Sequence, residues 1–163
     1  MYNQSTNLNV SELASGKDGR LYVQVDKKNY FLAEVNEFKV TMTVNTTTYQ
    51  GAGSIIEGTV PTGVKYALTF TEALIRDNLL MEPILKAISN GEIPVYNFTG
   101  KITKPGGGSS QTITYNNAIP SGDFDLQSVT PGEVIKRAQS WALNSIPKFV
   151  KSMSATYTYG YSE

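Results

Sequence analysis

Between Phe38 and Asn45 apolar and polar residues alternate without a break. Phe38, Val40, Met42 and Val44 fall on one side of an extended segment, and Lys39, Thr41, Thr43 and Asn45 on the other. The same period returns in Val64, Tyr66, Leu68 and Phe70 against Lys65, Ala67, Thr69 and Thr71. Two strands are expected, each with a dry face toward a core and a wet face toward water. Between them, TTTYQGAGSIIEGTVPTG (46–63) carries no sustained alternation and reads as one long loop. Upstream, RLYVQV (20–25), the polar turn Asp26 to Asn29 and YFLAEV (30–35) read as a hairpin. Gly16 to Gly19 punctuate its entry, and the aperiodic polar stretch 1–15 is expected to be an arm ordered only when something holds it.

Helical spacing shows best over Asp77 to Asn90, where Leu80, Ile84, Leu85 and Ile88 recur at the right period. Asp77 is the expected N-cap and Gly91 the stop. Pro83 interrupts this segment, so either the helix kinks or a short helix restarts with Pro83 in its first turn. Beyond it, VYNFTGKIT (95–103) and QTITYNNA (111–118) form a second hairpin across the flexible turn KPGGGSS (104–110). GDFDLQSV (122–129) reads as a short alternating strand. From Thr130 to Ile146 the chain supports two readings: Thr-Pro-Gly-Glu resembles a helix start, whereas Gln139, Trp141 and Leu143 against Ser140, Ala142 and Asn144 suggest a strand. In the C-terminal ATYTYGYSE, Tyr157, Tyr159 and Tyr161 share a face if the segment is extended.

Composition sharpens the class. The 163 residues suit one domain, and abundant Tyr, Thr, Val and Gly with only 17% charged residues favour a mainly β chain. Lys plus Arg and Asp plus Glu both number 14, so no long-range field draws the protein to nucleic acid or a membrane surface. The N-terminal region lacks a basic stretch followed by an apolar one, and no run is long enough to span a bilayer, so neither Sec-type export nor a membrane anchor is expected.

The candidate chemistry is sparse. There is no histidine and no cysteine, which removes imidazole bases, thiolate nucleophiles and the usual zinc ligands. Asp123 and Asp125, two apart on the expected strand and so about 7 Å from each other, are the one close carboxylate pair. Glycosidase carboxylates generally come from different elements across a cleft, so a solvated strand face is the better reading. Gly106 to Gly108 precede neither a helix nor a Gly-Lys-Ser/Thr sequence, so a phosphate cradle is not expected. An enzyme and a cofactor are both disfavoured.

Taken in order, these landmarks resemble the tail tube proteins of contractile phages of the PBSX type, which are similar to the tubes of R-type bacteriocins. SGKDGRLYV resembles the family's glycine turn and first strand. EFKVTMTVNTTTYQGAGSIIEGTVPTGVKYALTFTEAL resembles its long central hairpin with a Gly/Thr-rich loop. DNLLMEPILKAISNGEIPVYNFTGKI resembles its single helix, glycine stop and returning strand. The resemblance starts at Ser15, and it departs from the family at Pro83 and in the tyrosine tail. It implies that RAQSWALNSIP contains a strand, taken as Ile135 to Ser145.

What the resemblance implies is a small β-sandwich or barrel with one flanking helix. Six copies would close into a ring around a continuous inner β-barrel, and rings would stack into a hollow conduit driven through a target envelope. The expected organisation is an assembly arm (1–15), a tube domain (16–153) and a tyrosine-rich tail (154–163). Lys39, Thr41, Thr43, Asn45, Lys65, Thr69 and Thr71 are the lumen candidates. Gly51, Gly53, Ile55, Ile56, Glu57 and Val60 are candidates for contacts between subunits or rings. Phe38, Val40, Met42, Tyr66, Leu68, Phe70, Leu80, Leu85, Ile88 and Trp141 are the expected core. Implied partners are further copies, a sheath, a baseplate hub or initiator, a terminator and a tape-measure protein, with transient passage of DNA. Assembly would take place in a bacterial cytoplasm and the product be a virion or extracellular particle. The rival readings are a tube of the type VI secretion kind and a monomeric β-sandwich module for surfaces or carbohydrate.

Overall fold

A computed structural model of the chain describes residues 19–25, 27–32, 35–72, 77–78, 80–103 and 110–152. The arm, the turn at 104–109 and the tyrosine tail lie outside the described residues. The elements, in chain order, are β1 (Gly19–Val25), β2 (Lys28–Phe31), β3 (Val35–Gln50), β4 (Glu57–Glu72), α1 (Met81–Ser89), β5 (Tyr96–Thr103), β6 (Ser110–Pro120), β7 (Arg137–Leu143) and β8 (Lys148–Lys151). The strands make one antiparallel sheet in the order β2-β1-β5-β6-β7-β4-β3, with β8 also paired to β6.

That sheet curls on itself. Phe70 on β4 and Phe98 on β5 are three strand steps apart, which on a flat sheet would hold them roughly 14 Å from each other. Their ring centroids lie 5.7 Å apart instead. Phe38 on the far edge strand reaches Gly100 on β5, where an added Cβ would sit 3.4 Å from the Phe38 ring and 3.3 Å from that of Tyr115. Glycine is what admits this close approach. Inside the curl, Leu21, Val23, Leu68, Phe70, Phe98, Tyr115, Ala118 and Leu143 surround Trp141, and Leu80 and Ile84 close the open side from the helix. Trp141 is fully buried, edge-on to Tyr96, Phe98 and Phe124 at 5.2–5.4 Å, a packing that aromatic quadrupoles favour.

Helix α1 takes the second of its two expected forms. It runs only from Met81, with Pro83 in the first turn, where a missing N–H costs nothing. Asp77 is not its cap. The Asp77 carboxylate binds Arg137 instead, and Leu80 stands at the N-cap position without a side-chain bond. At the other end Gly91 has φ +75°, Glu92 N–H donates to the Ala87 carbonyl and Gly91 N–H to that of Ile88. This pattern closes a helix through a left-handed glycine.

Several expectations need correcting. The long loop 46–63 is mostly strand: β3 and β4 pair antiparallel from Val35↔Glu72 to Gln50↔Glu57, leaving only Gly51 to Ile56 as the turn. Alternation fails there because, among the described residues, neither face of this part of the ribbon is covered by the rest of the chain, so no burial pattern selects the sequence. GDFDLQSV forms no strand, and lies strapped to β7 through Asp125. β2 is placed two residues earlier than YFLAEV, and β7 spans less than Ile135 to Ser145. β8 carries too short a pattern to be read from sequence. Three expected core residues, Met42, Leu85 and Ile88, are 62%, 49% and 56% exposed. Met42 lies where the hairpin has outrun the core, and Leu85 and Ile88 lie on the outer rim of the helix.

Candidate assembly surface

The feature that dominates the molecule is the β3–β4 hairpin. β7 supports β4 only from Tyr66↔Leu143 to Glu72↔Arg137. From Lys65 to Glu57, β4 has no partner but β3 among the described residues, so about half of each sixteen-residue strand projects as a two-stranded ribbon. β8 does not follow it. Since β5 occupies one edge of β6, β7 and β8 share the other, and past Leu143 the chain bends to stay with β6 while the ribbon departs.

The ribbon's base is anchored by a buried charge cluster. Arg137 and Glu72 face each other in register on β7 and β4, and Arg137 Nη2 donates to Glu72 Oε2 at 2.9 Å. Arg137 Nη1 donates to Asp77 Oδ1 at 2.8 Å and to the Leu126 carbonyl at 3.4 Å. Arg137 and Glu72 are buried while Asp77 is half open to solvent. The cluster pins both the β4–β7 register and the approach to α1. Of the three, only Asp77 carries a role in the sequence, as the expected N-cap; the Arg137–Glu72 pair at cross-strand positions is visible only once the register is known.

The two faces of the hairpin differ in chemistry. One carries Lys39, Thr41, Thr43, Asn45, Lys65, Thr69 and Thr71, all exposed or half-exposed, and β7 extends it with Ala138, Ser140 and Ala142. Glu37, Lys39, Thr69, Thr71, Asp123, Ala138 and Ser140 line a shallow depression on it. The structure thus brings the lumen candidates onto one continuous surface, in which threonines, Asn45, Ser140 and alanines alternate with the charged Glu37, Lys39 and Lys65. Asp123 sits at its rim, whereas Asp125 is engaged with β7: its Oδ2 accepts from Ala138 N–H at 3.2 Å, and its own N–H donates to the Ala138 carbonyl at 3.1 Å. The two carboxylates therefore do not share a strand face.

On the opposite face Phe38, Val40 and Tyr66 pack against the core, but Met42, Val44 and Val64 continue the apolar row into solvent. A β-bulge then intervenes. Asn45 pairs with Gly63 and Thr46 with Pro61, leaving Thr62 as the extra residue, its hydroxyl donating to the Asn45 carbonyl at 3.1 Å. Past it β4 is turned over, so that Val60, opposite Thr47, joins the polar face.

At the tip the turn is ordered by its own polar atoms. Ser54 N–H donates to the Gly51 carbonyl, Gln50 Nε2 to the Ser54 carbonyl, and Ile56 N–H to Ser54 Oγ. Gly53 sits at φ +81°. Ile55 and Ile56 are 96% and 76% exposed, and Glu57 stands beside them at the start of β4. The loop candidates Gly51, Gly53, Ile55, Ile56 and Glu57 thus cluster at the tip, with Val60 further along β4, opposite Thr47.

Burial raises the phenol pKa of Tyr96 and of Tyr115 above the ordinary value of 10.0. No helix of the described residues is long and apolar enough to cross a membrane.

No protein-family model matches the chain, and no curated protein sequence does. Solved structures do. The chain is similar to one in the sheath-tube complex of an extracellular contractile injection system, PVC, in its extended state, with TM-score 0.64 and 13% identity over 93% of this chain and 100% of that one. It is similar to a chain of the anti-feeding prophage baseplate, with TM-score 0.63 and 8% identity over 82% and 92%. It is also similar to a chain in the tail of an empty gene transfer agent particle of C6 symmetry, with TM-score 0.58 and 11% identity over 85% and 99%. The fold is therefore the mainly β fold found in phage tail and contractile injection particles.

Proposed function

We propose that this chain is the repeating subunit of the inner tube of a contractile phage tail or phage-tail-like particle, with six copies to a ring. The observation that carries this reading is the projecting hairpin. A ribbon with half its length unsupported, its free β3 edge uncharged from Val40 to Gln50, is a liability in a monomer and an asset in a closed ring. Strand pairing around the ring removes such edges, and the shear of a closed barrel absorbs the stagger. Head-to-tail contacts that close by rotation generate the ring.

In this arrangement Lys39, Thr41, Thr43, Asn45, Lys65, Thr69 and Thr71 face the lumen. Short hydroxyls and amides with few charges keep the wall wet without gripping a passing phosphate backbone. The tip from Gly51 to Glu57 meets the next ring, where Ile55 and Ile56 leave water. The arm is an assembly segment, and the outer surface meets a sheath. The fold shared with chains of contractile injection and gene transfer particles supports the reading, as does the resemblance to PBSX-type and R-type bacteriocin tubes.

The test is assembly itself. Purified chain is expected to form hollow filaments in the electron microscope, and Ile55→Asp with Ile56→Asp to leave a folded, soluble subunit that forms none. Normal filaments from the double variant would remove the tip from the contacts between rings; a wild-type chain that stays monomeric at all concentrations would overturn the tube.

A further inference from the structure

Among the described residues several apolar surfaces besides the tip are exposed, and two of them belong to the hairpin and its helix. One is the overhang of the hairpin, Met42, Val44 and Val64; the other is the outer rim of α1, Leu85 and Ile88. Both belong to the core side of the sheet. Leu68 and Phe70 on β4 share one buried cluster with Leu80 and Ile84 of the helix, and the overhang is the same face of the same strands carried past that cluster. What covers the inner half of the hairpin face is the core that α1 caps.

Resting on the tube reading, we infer that the overhanging apolar face of one subunit seats on the exposed Leu85 and Ile88 rim of helix α1 in the next, forming a ribbon-on-helix seam outside the barrel wall. Three features select a second copy of the chain as the occupant. From Phe38 to Val44 and from Val64 to Phe70 this face bears no charged side chain, so a charged partner would be desolvated without compensation. The rim of α1 is the matching apolar strip, and its inner residues Leu80, Met81 and Ile84 are already committed to the subunit's own core. The hairpin's other face is polar, so with that face turned to the lumen the apolar one points outward, to the layer that helices occupy. In area, the five side chains expose on the order of 400 Å², well below the ~1,200 Å² of a stable pair, so the seam adds to strand pairing around the ring and does not replace it. The contact is heterologous, as a ring requires.

The chain has no cysteine of its own, which makes the test direct. Val44→Cys with Ile88→Cys, and separately Met42→Cys with Leu85→Cys, are assembled and treated with a short bismaleimide, with each single variant as control. Denaturing gels are expected to show a ladder reaching six chains from at least one double variant, and monomers from the singles. Electron microscopy of the same samples reads tube formation independently. Hollow filaments without a ladder in either double variant overturn the seam and leave the tube standing. Dimers from a single Val44→Cys or Met42→Cys chain overturn it in favour of ribbon packing on ribbon. Neither filaments nor ladder overturns both readings.

Discussion

Gln139 offers the sharpest test of how this core is held together. It lies on β7 between Arg137 and Trp141, opposite Phe70, with 1% of its surface exposed. Neither Oε1 nor Nε2 has a hydrogen-bond partner among the described residues. An amide left unsatisfied in this way costs about 1–3 kcal/mol relative to an apolar group of the same shape. Methionine matches glutamine in length and lack of branching, and such swaps usually carry a packing cost under about 1.5 kcal/mol. Gln139→Met is therefore expected to stabilise the subunit by about 1–2 kcal/mol. With a urea m-value of roughly 2 kcal/mol/M for a domain of this size, the midpoint should rise by about 0.5–1 M. The measurement belongs in the Ile55→Asp, Ile56→Asp background, so that assembly does not contribute to apparent stability. Trp141, the single tryptophan and fully buried, reports unfolding by fluorescence, with circular dichroism as the check for a probe so close to the substitution. A loss of 1 kcal/mol or more would refute the reasoning, because it would mean that the amide is satisfied in solution and that the row is a polar network.

Arg137→Met should cost about 3–5 kcal/mol in the same assay, since it leaves the Glu72 carboxylate buried without its guanidinium, whereas Asp77→Asn, at a carboxylate 56% exposed, should cost under about 1 kcal/mol. Equal losses would argue against the burial asymmetry. Alkaline unfolding tests Tyr96 and Tyr115. Burial raises both phenol pKa values, so the unfolded chain gives up its protons first; their contribution is complete below pH 10.0 and is lost as pH rises through the folded values. Replacing both by Phe should flatten the fall of Tm between about pH 9 and 11, and an unchanged slope would exclude them as its source.

Legibility in the sequence followed burial. Where one face meets the core, as from Phe38 to Val40 and from Tyr66 to Phe70, the period of two was plain and the strands could be read. The alternation outlasts the core through the exposed Met42, Val44 and Val64, and only past Asn45 and before Val64 do the same strands read as a loop, although β-branched Thr46, Thr47, Thr48 and Val60 fit a pleated ribbon well. The helix was legible in place, but its start was not, because Asp77 has two possible uses and only the fold shows that Arg137 takes it. Apolar spacing alone assigned Leu85, Ile88 and Met42 to the interior; which side of an apolar stripe is covered depends on neighbours the pattern does not record. β8 escaped because four residues after Pro147 are too few to establish a period.

The projecting hairpin also bears on kinetics. A two-stranded ribbon is at best marginally stable in water by itself, so in a tube built as proposed much of its ordering is accomplished when a neighbour receives it. Each arriving subunit then finishes folding on the growing end. Starting a new ring would require several unfinished ribbons to order one another at once, a far rarer event than extending an existing one. Growth of this kind waits for a template, which lets a cell hold a large pool of subunits and still decide where, and when, a filament begins.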